Sequence, residues 1–279
     1  MNKIGLAPTS LPNTPALEYI AAASEAGFEA VGMRLFRSPG LRYAFDPVAG
    51  DADKTRDVKH ALANSGVELL EVLSYYLQPD MDLDSMAPSL ELAAELGARY
   101  ALLIGDDPEW SRMVDNFGQF CDHIAPMGMV AAIEAPVFRR VLCSIPLTVR
   151  LIVDSRRTNA AICLDPLHFV EVGHTPDDLK GLDARLFPYT QIRDGHVVNR
   201  LGSRFWRDEP HATGALKPGE GQVPLTEILD ILPVGLPLSL EWAMPSRGSY
   251  SPAEWAKEAL EGTRQFLAGY YASRSARHA

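Results

Sequence analysis

The sequence predicts an α/β protein folded as a single (β/α)8 barrel, and three observations favour this fold class. Short aliphatic or β-branched runs alternate with helical patterns, and most runs start about 30 residues apart, the length of one βα unit. No hairpin turn signal separates these runs, which indicates parallel strands. Eight units within 279 residues fit a closed barrel better than a doubly wound sheet, and no GxGxxG motif follows the first run.

The predicted strands are short apolar runs that end in polar or turn-forming residues. A strand buried on both faces, as in a parallel sheet, reads as such a run rather than as a strict alternation. In chain order, we expect strands over residues 3–8, 30–35, 67–73, 100–106, 130–136, 161–167, 189–194 and 237–243.

The helices between these strands carry recognisable start and stop signals. In "NTPALEYIAAASEAG" we expect Thr14 as the N-cap, Pro15 at the first helical position and Gly27 as the stop. Ser and Glu three residues apart in "SPAE" predict a capping box. In this capping box, Ser251 pairs with Glu254. Further predicted helix starts are Asp107 and Thr175, and a further predicted stop is Gly97.

Composition and charge limit the function classes. The chain is 47% hydrophobic with a net charge of -10, which argues against a nucleic-acid or membrane partner, since both need clustered positive charge. Three cysteines without CxxC spacing indicate reduced thiols. No signal peptide or apolar run of about 18 residues is found. We expect one domain over residues 1–279, a cytoplasmic location, a small-molecule substrate and a possible homo-oligomer.

Polar side chains close four consecutive predicted strands. Glu134 ends the fifth strand, Asp165 the sixth, Gln191 the seventh and Glu241 the eighth. In a barrel of this kind, the reactive face lies at the carboxyl ends of the strands. Three carboxylates in one small space would repel one another unless a cation lay among them. An all-oxygen ligand set favours one divalent ion, Mg²⁺ or Mn²⁺, over Zn²⁺.

Simpler interpretations of the same residues remain open. A strand-end glutamate is often a helix cap or a surface residue, Gln191 could be a hydrogen-bonded core amide, and His168 could bond a backbone carbonyl. Arginines near the rim could be structural ion-pair partners as easily as substrate ligands. As substrate-binding residues we predict His168, Arg193, His196 and Arg34.

The connection over residues 196–221 is long for a βα loop and carries aromatic and basic residues. Phe205 and Trp206 stand among three arginines in it. Long loops of this kind are often functional lids. The segment could cover the substrate or pack on a neighbouring subunit.

The stretches "IEAP", "LDPLH", "QIRDG", "KPGEGQVPL" and "LEW" resemble the sugar phosphate isomerase/epimerase superfamily, the xylose isomerase-like TIM barrels. This group includes ketose 3-epimerases, hydroxypyruvate isomerase, inosose and 3-dehydroshikimate dehydratases and endonuclease IV. The resemblance implies that Glu134 and Glu241 bind metal and exchange protons, that Asp165 is a third ligand and that His168 assists. Most members carry His where this chain has Gln191, whereas hydroxypyruvate isomerase-like members have Gln in a similar "QIAD" context.

The chemistry expected of such a site is proton transfer next to a carbonyl group. A carboxylate removes the C–H proton, and the metal stabilises the resulting enediolate. Proton return to the same carbon gives epimerisation, return to the neighbouring carbon gives isomerisation, and loss of a β-hydroxyl gives dehydration. We therefore expect a metal-dependent isomerase or epimerase, with a dehydratase or lyase as the alternative. A repair endonuclease is disfavoured because the early strands lack its extra ligands, and a binding protein without catalysis stays open.

Overall fold

Eight parallel strands form a closed barrel in the computed structural model, which describes residues 2–37, 46–136, 139, 141–198, 215–243 and 250–277. The predicted fold class is therefore confirmed. The barrel strands are β1 (Ile4–Leu6), β2 (Ala30–Met33), β3 (Glu68–Leu77), β4 (Tyr100–Gly105), β5 (Val130–Glu134), β6 (Ala160–Leu164), β7 (Tyr189–Ile192) and β10 (Leu238–Leu240); β8 (Asp194–Gly195) and β9 (Ala215–Leu216) form a separate antiparallel pair.

The strands follow one another around the barrel in chain order. The ring runs β1-β10-β7-β6-β5-β4-β3-β2, and β1 closes it by pairing in parallel with β10. Because all eight strands run the same way, their carboxyl ends meet at one mouth. This arrangement brings residues that lie far apart in the chain to a common rim.

Helices surround the barrel between successive strands. They are α1 (Ala16–Ala26), α2 (Ala52–Ser65), α3 (Leu83–Glu95), α4 (Trp110–Ile124), α5 (Ile145–Ser155), α6 (Pro166–Glu171), α7 (Leu225–Ile231) and α8 (Pro252–Arg277). The apolar faces of the helices bury against the outside of the strands, with side chains such as Phe117, Ile20 and Trp255 almost fully enclosed. Within the described part of the chain, no helix has the length and apolar character needed to cross a membrane.

Two of the predicted helix caps are confirmed. Ser251 and Glu254 form the expected capping box, since the Glu254 amide donates to Ser251 Oγ and the Ser251 amide donates to Glu254 Oε2. Thr175 forms a capping box with Asp178. Both begin a helical turn with Pro at the following position, as the sequence pattern indicates.

Two other predicted caps are wrong. Helix α1 begins one residue later than expected, because the extended backbone of Pro15 makes that residue the N-cap. The Thr14 hydroxyl is buried and hydrogen-bonds to nothing in the described chain. Helix α4 begins at Trp110 with Glu109 as its cap, while Asp107 instead forms an ion pair of 2.7 Å with Arg112.

The inside of the barrel is filled by apolar side chains on its amino-terminal side. Leu70, Leu102, Ala132, Cys163 and Tyr189 form one cluster there. This packing closes the lower barrel, as in other barrels of eight strands. The polar residues at the carboxyl ends therefore lie above an apolar plug and open towards one face only.

Candidate metal centre and active site

The four predicted metal ligands all lie at the mouth of the barrel and are buried. Glu134 ends β5 and Gln191 lies on β7, while Asp165 and Glu241 directly follow β6 and β10. Their exposed fractions are 7% for Glu134, 3% for Asp165, 1% for Gln191 and 8% for Glu241. Burying three carboxylates is costly unless positive charge compensates them.

The tightest group in this cluster includes a histidine. One ligand atom each from Glu134, Asp165 and His168 lies within 4.8 Å of the other two. The sequence analysis assigned His168 to substrate binding, but its Nε2 atom lies 3.8 Å from both Glu134 Oε1 and Asp165 Oδ2. His168 therefore stands among the predicted ligands rather than beyond them.

Asp165 has two functions because its carboxylate oxygens face different partners. Oδ1 accepts hydrogen bonds from the Leu167 and His168 amides and so caps helix α6. Oδ2 faces the cluster, 3.3 Å from Arg193 Nη1. The cap starts α6 at the rim, and this places His168 on the inward side of its first turn.

Gln191 and Glu241 form a second part of the cluster. Gln191 Nε2 donates to Glu241 Oε1 at 3.2 Å, which fixes the orientation of the amide. Gln191 Oε1 is consequently turned the other way, and it is buried with no hydrogen-bond partner in the described chain. A buried acceptor without a partner is costly unless a cation or donor comes to it.

Arg193 supplies positive charge inside the cluster. Its Nη1 atom lies 3.3 Å from Asp165 Oδ2, 3.5 Å from Glu241 Oε2 and 3.4 Å from His168 Nε2. Arg193 therefore forms the structural ion pairs that were the alternative for it, and its predicted contact with substrate stays a prediction. A buried guanidinium between two carboxylates lowers the cost of burying all three groups.

Burial and neighbouring charges shift the pKa values of this cluster in opposite directions. Burial raises the pKa of Glu134, and the charges of Glu241 and Asp165 raise it further. Burial also raises the pKa of Glu241, against the effect of Arg193. Burial alone would raise the pKa of Asp165, but His168 and Arg193 hold it below its usual value. The site therefore contains carboxylates of distinctly different basicity.

The remaining predicted substrate residues lie at different distances from this cluster. Arg34 follows β2 directly, is half-buried, and lines a pocket at the carboxyl ends of β1 and β2. His196 follows β8 and is exposed. No hydrogen bond or ion pair joins His196 to the cluster within the described residues. The aromatic and basic residues of the long connection over 196–221, expected either to cover the substrate or to pack on a neighbouring subunit, lie within 199–214, outside the described residues.

Glu71 is a buried acidic residue to which the sequence analysis gave no role. It is fully enclosed in the barrel beneath the cluster, where Ser239 Oγ and the Tyr189 hydroxyl donate to its two oxygens at 2.5 and 2.6 Å. Burial raises its pKa to about 7. Its position in the middle of the apolar run "VELLEVL", with Leu70 and Val72 on either side, is the signal that could have indicated it, because the other glutamate of the run, Glu68, lies at the exposed start of the strand.

The "PGEG" stretch anchors the long loop. Asp194 Oδ2 accepts from the Gly219 and Gly221 amides at 2.8 and 2.9 Å, and Oδ1 accepts from the Val223 amide at 3.2 Å. A Cβ atom on Gly221 would lie 2.0 Å from Asp194 Oδ1. Asp194 thus organises the backbone of this stretch.

The residues present fit a divalent cation. Two carboxylates and an imidazole converge, and the unpartnered Gln191 oxygen and the Glu241 carboxylate lie beside them. The imidazole nitrogen widens the choice of metal, because nitrogen donors suit Zn²⁺ and Mn²⁺ better than an all-oxygen set does. The donors present therefore suit Mn²⁺, Zn²⁺ or Mg²⁺.

Comparison with known proteins gives a family and several solved structures. The model of the family described as xylose isomerase-like TIM barrel matches residues 20–266. No curated protein matches the chain by sequence. A xylose isomerase domain protein from Alicyclobacillus acidocaldarius is 20% identical with a TM-score of 0.75, and the match covers 97% of this chain and 100% of that one.

Other structures share the fold at similar or lower identity. The IOLI protein with a bound zinc atom is 16% identical with a TM-score of 0.74, covering 96% of this chain and 99% of that one. A fusion of such a barrel with 4-hydroxyphenylpyruvate dioxygenase is 18% identical with a TM-score of 0.74, and this chain spans only 44% of its length. A D-psicose 3-epimerase from Clostridium cellulolyticum and a probable 3-DHS dehydratase from Bacillus anthracis also match, with TM-scores of 0.65 and 0.68.

Proposed function

The chain belongs to the xylose isomerase-like TIM-barrel family, and on this premise we propose that it is a divalent-metal-dependent isomerase or epimerase of a sugar or small hydroxy-keto compound. The observation that carries the proposal is the pair of buried glutamates, Glu134 and Glu241, which enter one polar cluster from separate strands. Burial raises the pKa of both glutamates, and the charge of Glu241 raises the pKa of Glu134 further. Buried carboxylates of raised basicity at the mouth of the barrel suit proton abstraction next to a carbonyl group.

The metal would be held by Glu134, Asp165 and His168, with Gln191 Oε1 and Glu241 as the adjoining donors. When bound, such an ion supplies positive charge that stabilises negative charge on a substrate oxygen. The carboxylate and amide oxygens favour Mn²⁺ or Mg²⁺, and the His168 nitrogen also suits Zn²⁺. The Gln191 amide adds a ligand oxygen without adding a fourth negative charge.

The residues of the chain would divide the proton transfer between them. One glutamate carboxylate removes the proton from the carbon next to the carbonyl, and the electron pair of that C–H bond enters the enediol double bond. Arg193, held beside Asp165 and Glu241, adds fixed positive charge near the oxygen that becomes anionic. The second glutamate, protonated at the start, then gives its own proton to the opposite face of the same carbon to form an epimer. Alternatively, the first glutamate returns the abstracted proton to the neighbouring carbon to form an isomer, while the hydroxyl proton passes between the two substrate oxygens.

Dehydration is the second candidate, and it uses the same groups. If a hydroxyl group lies on the carbon next to the enediol, the electron pair expels it and one glutamate donates the proton that makes it water. The fold is shared with a probable 3-DHS dehydratase as well as with sugar epimerases. The supporting observation does not separate the two reactions, because it concerns only the proton-transferring pair.

The other expectations from the sequence remain proposals of the same kind. We propose a small-molecule substrate, no nucleic-acid or membrane partner, a cytoplasmic location and a possible homo-oligomer. The net charge of -10 supports a small-molecule substrate and the absence of a nucleic-acid or membrane partner, since a polyanionic partner would be repelled.

The test is solvent exchange in D₂O, followed by proton NMR, with a panel of ketoses, hydroxy-keto acids and cyclic polyol ketones. We expect Mn²⁺-loaded enzyme to exchange one C–H proton of at least one compound. Glu134→Gln and Glu241→Gln should each slow this exchange about 100-fold or more, whereas Glu227→Gln, at an exposed position, should not. An enone absorbance would favour dehydration. Exchange that is absent throughout, or unchanged in both site variants, would refute the proposal.

A further inference from the structure

A second polar pocket adjoins the candidate site at the carboxyl ends of β1 and β2. It is a small pocket of about 40 Å³ that opens to solvent. Leu11, Met33 and the Tyr19 ring give it apolar walls, and Arg34 and Thr14 bring hydrogen-bond donors. A small organic group with one charged end fits such a mixture of surfaces.

The Thr14 hydroxyl points to a ligand in this pocket. It was expected to cap helix α1, but Pro15 takes that position and no side chain caps the helix. Thr14 is one of the residues that line the pocket, and its Oγ1 atom is buried without a hydrogen-bond partner in the described chain. A ligand oxygen that accepted from this hydroxyl would satisfy a group that the protein itself leaves unsatisfied.

Positive charge faces the same space. The Arg34 guanidinium lines the pocket, and the uncapped first turn of α1 begins beside it with Ala16, which also lines it. Unbonded amides at a helix start favour an anion. Asp46 is the one acidic side chain among the lining residues described, and Lys54 Nζ neutralises it at 2.6 Å.

The pocket is next to Glu241. Ser10 Oγ donates to the Leu240 carbonyl at 2.7 Å and accepts from the Trp242 amide at 2.9 Å, so the loop after β1 is bonded on both sides of Glu241. The pocket is walled by Pro8 of the same loop. Tyr19, at the pocket wall, has its pKa raised by burial and by Glu71, while the charges of Arg34 and Glu241 act on it in opposite directions.

We propose that this pocket binds an anionic group of the substrate, a carboxylate or a phosphate, through Arg34, Thr14 Oγ1 and the first turn of α1. The inference rests on the proposed function. Taken together, the two imply that the substrates are hydroxy-keto compounds that carry a negative charge away from the reacting carbons. Arg34 then selects for charge, while the glutamates of the cluster transfer the proton.

The binding test uses inorganic phosphate and malonate as probes on the full chain without added metal, followed by ¹H–¹⁵N NMR. We expect the amide signals of Thr14, Ala16 and Leu17 to shift on titration. Arg34→Met should weaken binding about tenfold or more and Thr14→Val by a smaller factor. Arg185→Met removes an exposed arginine paired only with Asp183 and is the matched control. The probe that binds more tightly identifies the charged group.

Several results would overturn the proposal. They are an absence of shifts at these three amides, shifts located only elsewhere, and an Arg34→Met variant that binds both probes as the parent does. If Arg34→Met does not fold, Arg34→Lys keeps the charge without the planar fork and should bind with intermediate affinity. Unchanged binding in Arg34→Lys together with unchanged binding in Thr14→Val would equally contradict the assignment.

A second readout separates this inference from the proposed function. In the exchange assay, Arg34→Met should slow exchange of anionic compounds at least about tenfold more than exchange of neutral ketoses. An equal effect on both classes would refute the anion pocket and leave the proposed function standing. Phosphate binding that depends on Arg34, without exchange of any compound, would refute the proposed function and leave the pocket standing.

Discussion

Gln191 makes one contact within the protein and leaves one oxygen for a ligand. Its amide nitrogen is held by Glu241 and its carbonyl oxygen is buried without a partner. The sequence alone indicated that an amide on an inward strand position needs a polar partner. It could not indicate that Glu241 would orient the amide, because that contact joins residues 50 positions apart.

His168 illustrates a residue whose place the strand pattern could not predict. The other predicted ligands lie at or directly after strand ends, whereas His168 belongs to helix α6. It reaches the cluster because Asp165 both ends the strand region and caps that helix. Local capping geometry, rather than strand order, therefore decides which side chains converge.

Glu71 gives a prediction of pH-dependent stability. Its pKa is raised to about 7 in the folded state, so between about pH 4.5 and 7 the folded state binds more protons than the unfolded state. The free energy of unfolding therefore falls as pH rises through this range, by up to about 3 kcal/mol from this group. Glu71→Gln removes this titration. The free energy of unfolding of the variant, relative to that of the parent, should therefore be higher at pH 8 than at pH 5.

Urea unfolding at the two pH values measures this difference. The control is Glu227→Gln, at an exposed position, which should change the free energy of unfolding by the same amount at both pH values. A Glu71→Gln variant whose stability relative to the parent is equal at pH 5 and pH 8 would show that Glu71 is ionised throughout.

At the scale of elements, the start of α1 differs from the start of α3 in a way that stability measurements can detect. Asp82 caps α3 by accepting from the Asp84 and Ser85 amides, whereas Thr14 does not cap α1. We expect Asp82→Ala to lower the free energy of unfolding by about 1 kcal/mol, and Thr14→Ala to lower it by less than about 0.5 kcal/mol. Equal losses in chemical denaturation would contradict this account of the two helix starts.

The anchor of the long loop gives a second prediction at this scale. Asp194 accepts from three amides of the Gly219–Val223 segment, so Asp194→Asn should cost about 1–3 kcal/mol of stability. Gly221→Ala should also destabilise, since the new Cβ would collide with that carboxylate. Asp177→Asn, at an exposed position, is the control for urea unfolding. Full stability in both site variants would show that the loop is held otherwise.

Element positions were predictable from the sequence, and element ends were less so. All eight predicted runs overlap a barrel strand, but the run over 189–194 divides at Ile192, and Asp194 joins a separate antiparallel pair. That division follows from the side chain of Asp194, which turns to the backbone of a segment about 25 residues later. Polar residues at strand ends leave the ladder to make such contacts, so most of the predicted runs extend past the carboxyl end of their strand, whereas β3 continues beyond its predicted run to Leu77.

At the scale of the whole molecule, the barrel followed from repetition alone. Eight βα units with no hairpin signal admit few closed arrangements, and parallel order then brings Glu134, Asp165, Gln191 and Glu241 to one rim. The reaction is not determined in the same way. Epimerisation, isomerisation and dehydration need the same proton-transferring groups, and they differ in the substrate that the pocket accepts.

Metal binding should stabilise the whole fold. The cluster binds its ligand only when β5, β6, β7 and β10 are assembled, so a cation that binds the folded state raises the midpoint of thermal unfolding. At a free concentration about 100 times the Kd, the gain is about 2.7 kcal/mol, or roughly 5 °C for a chain of this size. Scanning calorimetry with Mn²⁺, and with excess chelator as the reference, measures it. Identical midpoints would contradict a metal site in the folded protein.

The most direct test of the central claim is a Mn²⁺ titration followed by electron paramagnetic resonance of the free ion. The cluster predicts one high-affinity ion per chain, with Gln191→Ala and Asp165→Asn each weakening binding about tenfold or more. Gln119→Ala, at an exposed position, should bind as the parent does. A parent chain without a stoichiometric site, or variants at Gln191 and Asp165 that bind the ion with unchanged affinity, would contradict the account.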